Sequence, residues 1–461
     1  MNNQIKHPKC RYTISIPEAF ETIERESRSA LVRKYGTQPD EAIVSRFNTE
    51  LEMIKNNQFA EYYYIAHLIA KRCDELGYVH SLRGCGGSSL IAYLLGITEV
   101  NPLPAHYFCP KCGQVEYVDE YLFPFGADLN NREKECPRCG GKMIGDGQNS
   151  PWEFFMGLEG NKVPDFVFNV PSRKEIFEYL SERFGRDRIF NEARISDGNM
   201  WVHPGRIIIV PEELDIRDFG KVLQPEDLGD EADQGPAVLL EDGYMFDHID
   251  VFQNRVLNFI DRMQKRTRIQ AKDINLRGIE IMDLLECGDL ESFPFECDYI
   301  EIIKQIIDAA NPTSYTELLK IYGNLHGAGV WKENNEILCG KYTLHQMIAF
   351  REDVMLDLIR WGVGHDVAFK MADKVRRGAI NKHGFSNEEE WFLRRSEVPF
   401  WYIHSMEMIK YLFPKVHAVE YMTMYVRALW YKKHFYDDYL QVMQKKEPEM
   451  YRILAVQKVG D

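Results

Sequence analysis

The sequence predicts an α+β fold in which short strands sit between two helical stretches and carry a metal-stapled insert. Three observations predict it. Apolar residues recur at helical spacing before residue 80 and through most of the chain after residue 260. Three short runs rich in β-branched and aromatic residues, 163–170, 206–211 and 245–252, read as strands. Two Cys-x-x-Cys pairs bracket a loop-rich segment. With 461 residues, the chain is long enough to build its core without disulfide staples.

Taken in order, residues 11–79 read as helical. Over 40–55 the residues Ile43, Val44, Phe47, Leu51 and Ile54 mark one apolar face, and 59–76 repeats the spacing with several aromatics. Residues 81–89 (Ser-Leu-Arg-Gly-Cys-Gly-Gly-Ser-Ser) then form a glycine-rich turn ahead of an apolar helical run at 90–95. A helix is predicted over Arg173–Phe184 and a loop over the acidic, Gly- and Pro-containing stretch 223–243. Beyond the third strand the pattern is helical to the end, with breaks near Asn311-Pro312, 323–329, Gly378 and Pro414. This divides the chain into a helical region 1–79, a mixed region 80–260 holding the insert at 105–145, and a helical region 261–461.

Charge narrows the function. Asp and Glu number 71 against 56 Lys and Arg, a net charge of −15, which excludes coating nucleic acid by bulk charge. A local basic groove stays compatible with it. No run of eighteen apolar residues occurs, and the first residues lack the apolar stretch of a secretory leader, so a cytoplasmic protein without a membrane partner is expected. Four of the ten cysteines sit in two pairs; Cys10, Cys73, Cys85, Cys287, Cys297 and Cys339 are scattered, as ordinary thiols are.

Three motifs carry chemistry. Cys109-Pro-Lys-Cys112 and Cys136-Pro-Arg-Cys139 give four thiolates on two knuckles, each followed by glycine (Gly113, Gly140), a pattern that suits a closed tetrahedral Zn²⁺ site of structural type. Two redox dithiols are the plainer alternative. The turn around Arg83, Gly84, Gly87, Ser88 and Ser89 offers backbone N–H groups, hydroxyls and a guanidinium to a phosphate, although such a turn is more often only a turn. Asp165 and Asp250 sit among apolar residues on strand-like segments. A carboxylate there is costly without a partner, so the two are a candidate Mg²⁺ pair or, equally, strand-end turn caps.

Together with these, the string Gly96-Ile-Thr-Glu-Val-Asn-Pro-Leu-Pro104, Lys162-Val-Pro-Asp165, His203-Pro-Gly205, Leu325-His-Gly327 through Trp331, and residues 409–417 through Arg427 occur in a fixed order. In that order they resemble the catalytic α subunit of bacterial DNA polymerase III, PolC type, over roughly Ala30 to Lys433. The resemblance implies a nucleotidyltransferase palm of the polymerase β kind with helical thumb and fingers regions, in which three aspartates hold two Mg²⁺ ions for nucleotidyl transfer onto primer-template DNA. By position Asp165 matches the first aspartate and Asp250 the third. Arg83, Gly84, Gly87, Ser88 and Ser89 match the turn at the dNTP phosphates. Lys374, Arg376, Arg377, Lys410, Lys415 and His417 fall in blocks that resemble the DNA- and triphosphate-holding fingers.

The departures from the family pattern bear on activity. Its Asp-x-Asp reads Asp165-Phe-Val167 here, and valine cannot ligate Mg²⁺. Asp247 lies three residues from Asp250, hence on the other face of an extended strand. Cys85 and Gly86 stand where the family usually has Ser and Val, the family's leading Gly-Ser is missing, Arg206 stands where it has glycine, and the stretch from Asn169 to His203 is much shorter. The family's phosphoesterase-like, exonuclease and clamp-binding modules have no counterpart, so a core without proofreading is expected. Three readings follow: a DNA-binding or regulatory relative with impaired or lost nucleotidyl transfer, an active polymerase completed by another carboxylate from 226–242, or a zinc-stabilised scaffold that binds no nucleic acid. His203, His326 and the aromatics of 401–431 read, apart from the resemblance, as turn and core residues.

Overall fold

The computed structural model describes residues 10–119, 125–131, 133–196, 199–228, 235–274, 312–330 and 342–446. Cys287, Cys297, Asn311, Trp331, Cys339 and the middle of the acidic stretch, 229–234, lie outside the described residues. The segment read as helical from residue 11 opens instead with strand β1 (Cys10–Tyr12), which pairs in parallel with Tyr244–Phe246. Helices α1 (Ala19–Tyr35), α2 (Glu41–Asn56) and α3 (Ala60–Glu75) follow as the periodicity predicts. Asp40 caps α2 by accepting from Ala42 N.

Strand β2 (Ser81–Arg83) leads through the glycine-rich turn into the short helix α4 (Leu90–Leu94). The insert is a small sheet of β3 (His106–Phe108), β4 (Val115–Tyr117) and β5 (Ile144–Asp146) with β3 in the middle. After the single turn α5 (Glu153–Met156) come β6 (Val167–Val170), helix α6 (Arg173–Phe184), β7 (Ile189–Ser196), β8 (Asn199–Ile209), β9 (Gly220–Leu223), β10 (Ala237–Leu240), β11 (Tyr244–Phe246) and β12 (His248–Gln253). The first expected strand begins only at Val167, since Pro164 has no N–H for a ladder. The loop expected over 223–243 is corrected at its end. Ala237–Leu240 is a strand, held in parallel to β7 and antiparallel to β9, and short-range pattern does not reveal pairing of that kind.

Seven strands form the main sheet in the order β2-β6-β12-β8-β7-β10-β9. Chain direction reverses at each boundary except β6–β12 and β7–β10, which are parallel. Strand side chains alternate between faces. Leu82, Phe168, Val170, Ile207, Ile209, Ile249 and Val251 take one face and enter the core built with α1, α2, α3 and α6. Their neighbours Arg83, Val167, Asn169, Arg206, Asp250 and Phe252 therefore take the other.

Beyond β12 the chain is helical: α7 (Arg255–Thr267), α8 (Tyr315–His326), α9 (Arg351–Arg360), α10 (His365–Arg376), α11 (Ala379–His383), α12 (Asn387–Arg395), α13 (Phe400–Met408), α14 (Lys415–His434) and α15 (Tyr436–Lys446). The expected breaks at Gly378 and Pro414 are N-cap positions, and α8 ends at Gly327. A second core joins α7, α8, α14 and α15 through Leu257, Ile260, Leu319, Tyr425, Tyr431 and Tyr439. A third joins α9, α10 and α13 through Val354, Leu358, Met371, Val375 and Tyr402. No described helix is long and apolar enough to cross a membrane.

Candidate functional site

The polar face of the main sheet carries one continuous row. Arg83 is the register partner of Val167, Val167 of Asp250, and Asp250 of Arg206. Directly opposed residues on neighbouring strands project to the same side. Four strands thus set the side chains Arg-Val-Asp-Arg shoulder to shoulder. Asp165, two residues before β6, is exposed, whereas Asp250 is buried. Asp247 is buried elsewhere, bound to the Arg11 guanidinium at 3.1 Å, the Tyr62 hydroxyl at 2.7 Å and Ile14 N at 3.1 Å.

Arg206 engages both carboxylate oxygens of Asp250: Nε donates to Oδ1 at 3.0 Å and Nη2 to Oδ2 at 3.2 Å. Its Nη1 donates to Glu192 Oε2 at 3.3 Å, and Arg194 donates to both oxygens of Glu192 at 3.0 Å. The His203-Pro-Gly segment, expected as a turn, instead lies inside β8 opposite the register shift between Asn191 and Ala193 of β7, and it aims this arginine. His203 Nδ1 accepts from Arg206 N at 2.9 Å, and a Cβ on Gly205 would come 2.6 Å from the Phe252 ring. Burial lowers the His203 pKa. A neutral imidazole keeps Nδ1 available as that acceptor.

At the β2 end of the row, Arg83 donates to Asn169 Oδ1 at 2.7 Å and lies 4.4 Å over the Phe252 ring. Helix α14 covers this end. Its His417 stacks on Phe413 at 4.6 Å and meets Tyr421 edge-on at 4.7 Å. Burial first, then the charge of Arg83, pushes the His417 pKa down to about 3. The structure therefore brings Arg83 and His417 together, from opposite ends of the sequence.

The glycine-rich turn is tightly held from inside. Ser88 and Ser89 are fully buried. Ser88 Oγ lies 2.8 Å from Ser150 Oγ, and the Ser89 hydroxyl donates to Glu50 at 2.7 Å. Glu50 also accepts from Leu90 N at 3.0 Å and Ile91 N at 3.2 Å, so a carboxylate of α2 serves the N-terminus of α4. Gly87 faces Val100 and Val416 and Gly84 has φ +73°, a left-handed turn that glycine adopts without strain. Cys85 accepts from the buried Arg351 at 2.7 Å.

The basic residues expected at the fingers divide into three settings. Lys374 pairs with Glu389 at 2.6 Å, while Arg376 and Arg377 share Asp373 at 3.2 Å and 2.7 Å. Lys410 lies against the end of α10, because Leu412 N donates to Arg376 O at 3.2 Å and Gly378 packs on the Lys410 carbonyl. Lys415 is buried; its ammonium donates to Asn149 O at 3.4 Å and sits 4.3 Å over the Phe125 ring.

In the insert the sulfurs of Cys109, Cys112, Cys136 and Cys139 lie within 4.8 Å of one another. Each knuckle closes by Gly113 N to Cys109 O (2.8 Å) and Gly140 N to Cys136 O (2.9 Å), with both glycines at positive φ. Four thiols at that mutual reach fit one tetrahedral Zn²⁺. Of the scattered thiols, Cys73 is buried and Cys85 half-buried.

A family profile described as bacterial DNA polymerase III alpha NTPase domain matches residues 21–199. The chain is 31% identical to the PolC-type DNA polymerase III of Listeria welshimeri, over 92% of this chain and 33% of the relative. It is 32% identical to that of Bacillus cereus over 87% of this chain and 31% of the relative. For Thermotoga maritima the identity is 31%, over 91% of this chain and 34% of the relative. The chain belongs to the PolC-type DNA polymerase III family. It spans about a third of the length of these relatives.

For a PolC-type chain the row gains meaning, because its Val167 and Arg206 are the two places where the resemblance implies an aspartate and a glycine. The sequence pattern alone did not single out Asn169, Glu192, Arg194 or Arg351. Glu192 and Arg194 lie on a strand whose Phe-Asn-Glu-Ala run gives no clear alternation. Arg351 shows no local sign of reaching a turn 266 residues away.

Proposed function

We propose that this chain is a primer-template DNA-binding relative of the PolC polymerase core in which nucleotidyl transfer is impaired or lost. The observation that carries this reading is Val167 in register with Asp250, at the slot where the family pattern calls for a metal-binding carboxylate. Two-metal transfer relies on carboxylates that bring the cations together against their own repulsion. Losing even one preorganised electrostatic contact costs on the order of 10²–10³ in rate, and a shared metal ligand costs at least as much.

Family membership supports DNA as the partner. Arg83 and Arg206 of the row, Arg194 beside them, and the stacked Phe413, His417 and Tyr421 have the chemistry for it, with cations for phosphate and flat rings for bases. Zinc held by Cys109, Cys112, Cys136 and Cys139 would stiffen the insert and take no part in the reaction. A dNTP, if it binds, would meet the turn at Arg83–Ser89 through Arg83 and the backbone.

Two assays test the reading. A gel shift on primed DNA should show binding that weakens steeply with salt. Primer extension under saturating Mg²⁺ or Mn²⁺ should run at least a hundredfold below an ordinary polymerase. Extension at ordinary rates, abolished by Asp165→Ala or Asp250→Ala, would establish the active-polymerase reading instead. A chain that shifts no DNA at low salt would leave the zinc-stabilised scaffold.

A further inference from the structure

The family implies two Mg²⁺ ions at the palm aspartates, and the residues present do not fit them. Mg²⁺ asks for six oxygen ligands in near-octahedral geometry at about 2.0–2.1 Å. The row offers two methyl groups at Val167 and a carboxylate at Asp250 whose two oxygens both accept hydrogen bonds from Arg206. The nearest further carboxylate in the network, Glu192, is held by Arg194 and by the same Arg206.

We propose that Arg206 is a resident cation that takes the place of the divalent ions, so that this face of the sheet is neutralised by the protein itself and takes up no Mg²⁺ or Mn²⁺. The claim rests on the family reading above and goes beyond it, from weakened transfer to the loss of the metal site. Three guanidinium groups, Arg83, Arg194 and Arg206, stand on the face with two carboxylates, Glu192 and Asp250. A divalent ion approaching Asp250 must displace a bidentate, charge-assisted pair, which is among the stronger hydrogen-bond geometries. Arg206 cannot step aside by losing its proton, since guanidinium stays charged at any physiological pH. Backbone geometry holds it as well, through the His203 Nδ1 contact to its amide and its place opposite Asp250 in the ladder. One consequence is that DNA binding by this chain does not depend on divalent cations.

The test is Mn²⁺ binding to the full, zinc-loaded chain, read by the loss of the free-ion electron paramagnetic resonance signal and by water-proton relaxation. The wild-type chain should take up no Mn²⁺ that Asp250→Asn abolishes. The double variant V167D/R206G, which removes the resident guanidinium and adds a carboxylate beside Asp250, should gain one Mn²⁺ per chain, and adding D250N should remove it. Zinc content and thermal unfolding report whether each variant is folded. Asp250-dependent Mn²⁺ binding by the wild-type chain overturns the proposal, and this measurement needs no variant of Arg206. A folded V167D/R206G chain that gains no site overturns it too. Gel shifts without added divalent ions separate the two readings: failure to bind DNA counts against the proposed function, and Mn²⁺ uptake at Asp250 against the resident cation.

Discussion

Glu50 accepts the hydroxyl proton of Ser89 at 2.7 Å, and this contact ties the glycine-rich turn to α2. The same carboxylate takes the N–H groups of Leu90 and Ile91 and pairs with Arg46, with no exposed surface of its own. Substituting Glu50→Ala strands three donors and leaves the mostly buried Arg46 without its carboxylate, with only the Ser88 and Ser150 carbonyls to accept from it. Removing one member of a buried pair typically costs about 3–5 kcal/mol. We expect a loss near the lower end of that range in urea unfolding, with zinc content unchanged. A loss under about 1 kcal/mol would mean that the turn is held by other contacts.

The insert should contain one zinc per chain by elemental analysis, and Cys136→Ser should reduce it to near zero. Strong chelators should open the insert while the main sheet persists, seen as new protease cleavage within 109–139. Gly113→Ala should do comparable damage without touching a ligand, because its backbone has φ +73° and a Cβ there would stand 2.2 Å from Tyr35 O. Wild-type protein free of zinc yet resistant to cleavage in the insert would contradict the assignment.

These two sites differ in how far the sequence discloses them. The cysteine knuckles are local: spacing and the following glycines specify the geometry, and the folded chain keeps it. Strands β6 and β12 are legible as β-branched runs, and Asp247 departs from the Asp250 face as a period of two requires. Which strand lies beside which is not local. Arg83, Val167, Asp250 and Arg206 become neighbours only because β12 inserts between β6 and β8 while β2 pairs with the other edge of β6. Lys415 shows the same limit for charge, since a lysine in a basic block can end buried over Phe125. Strand β10 escaped because the twelve glycines, prolines and acids of 223–243 outweighed a four-residue run that is made by its partners.

Glu420 gives a pH prediction. Burial raises its carboxyl from 4.5 to about 8, although the Thr98 hydroxyl donates to it. It lines a cavity of about 710 Å³ beside the Glu99–Arg427 ion pair at 2.9 Å. A folded pKa above the unfolded one means that the folded state binds the extra proton. The stability it contributes is full below about 4.5 and is lost as pH rises to about 8. Glu420→Gln keeps the shape without the titration. Its stability relative to wild type should climb across that window and level off above it, by a few kcal/mol in all. A difference that stays flat with pH would show that Glu420 ionises normally.

The Arg206–Asp250 pair also predicts the sign of a stability change. Carboxylates gathered to hold cations repel one another when no cation is present, so removing one commonly stabilises an enzyme at the expense of its activity. Here the charge of Asp250 is already matched by a guanidinium, and both groups lie largely out of water. Asp250→Ala should therefore destabilise the chain by leaving Arg206 and its link to Glu192 uncompensated. Arg206→Ala should do so as well by stranding Asp250. The double variant should recover part of the loss, with a coupling energy of about 0.5–3 kcal/mol in a double-mutant cycle of urea unfolding free energies. Stabilisation by Asp250→Ala would place repulsion, not pairing, at the centre of the sheet face.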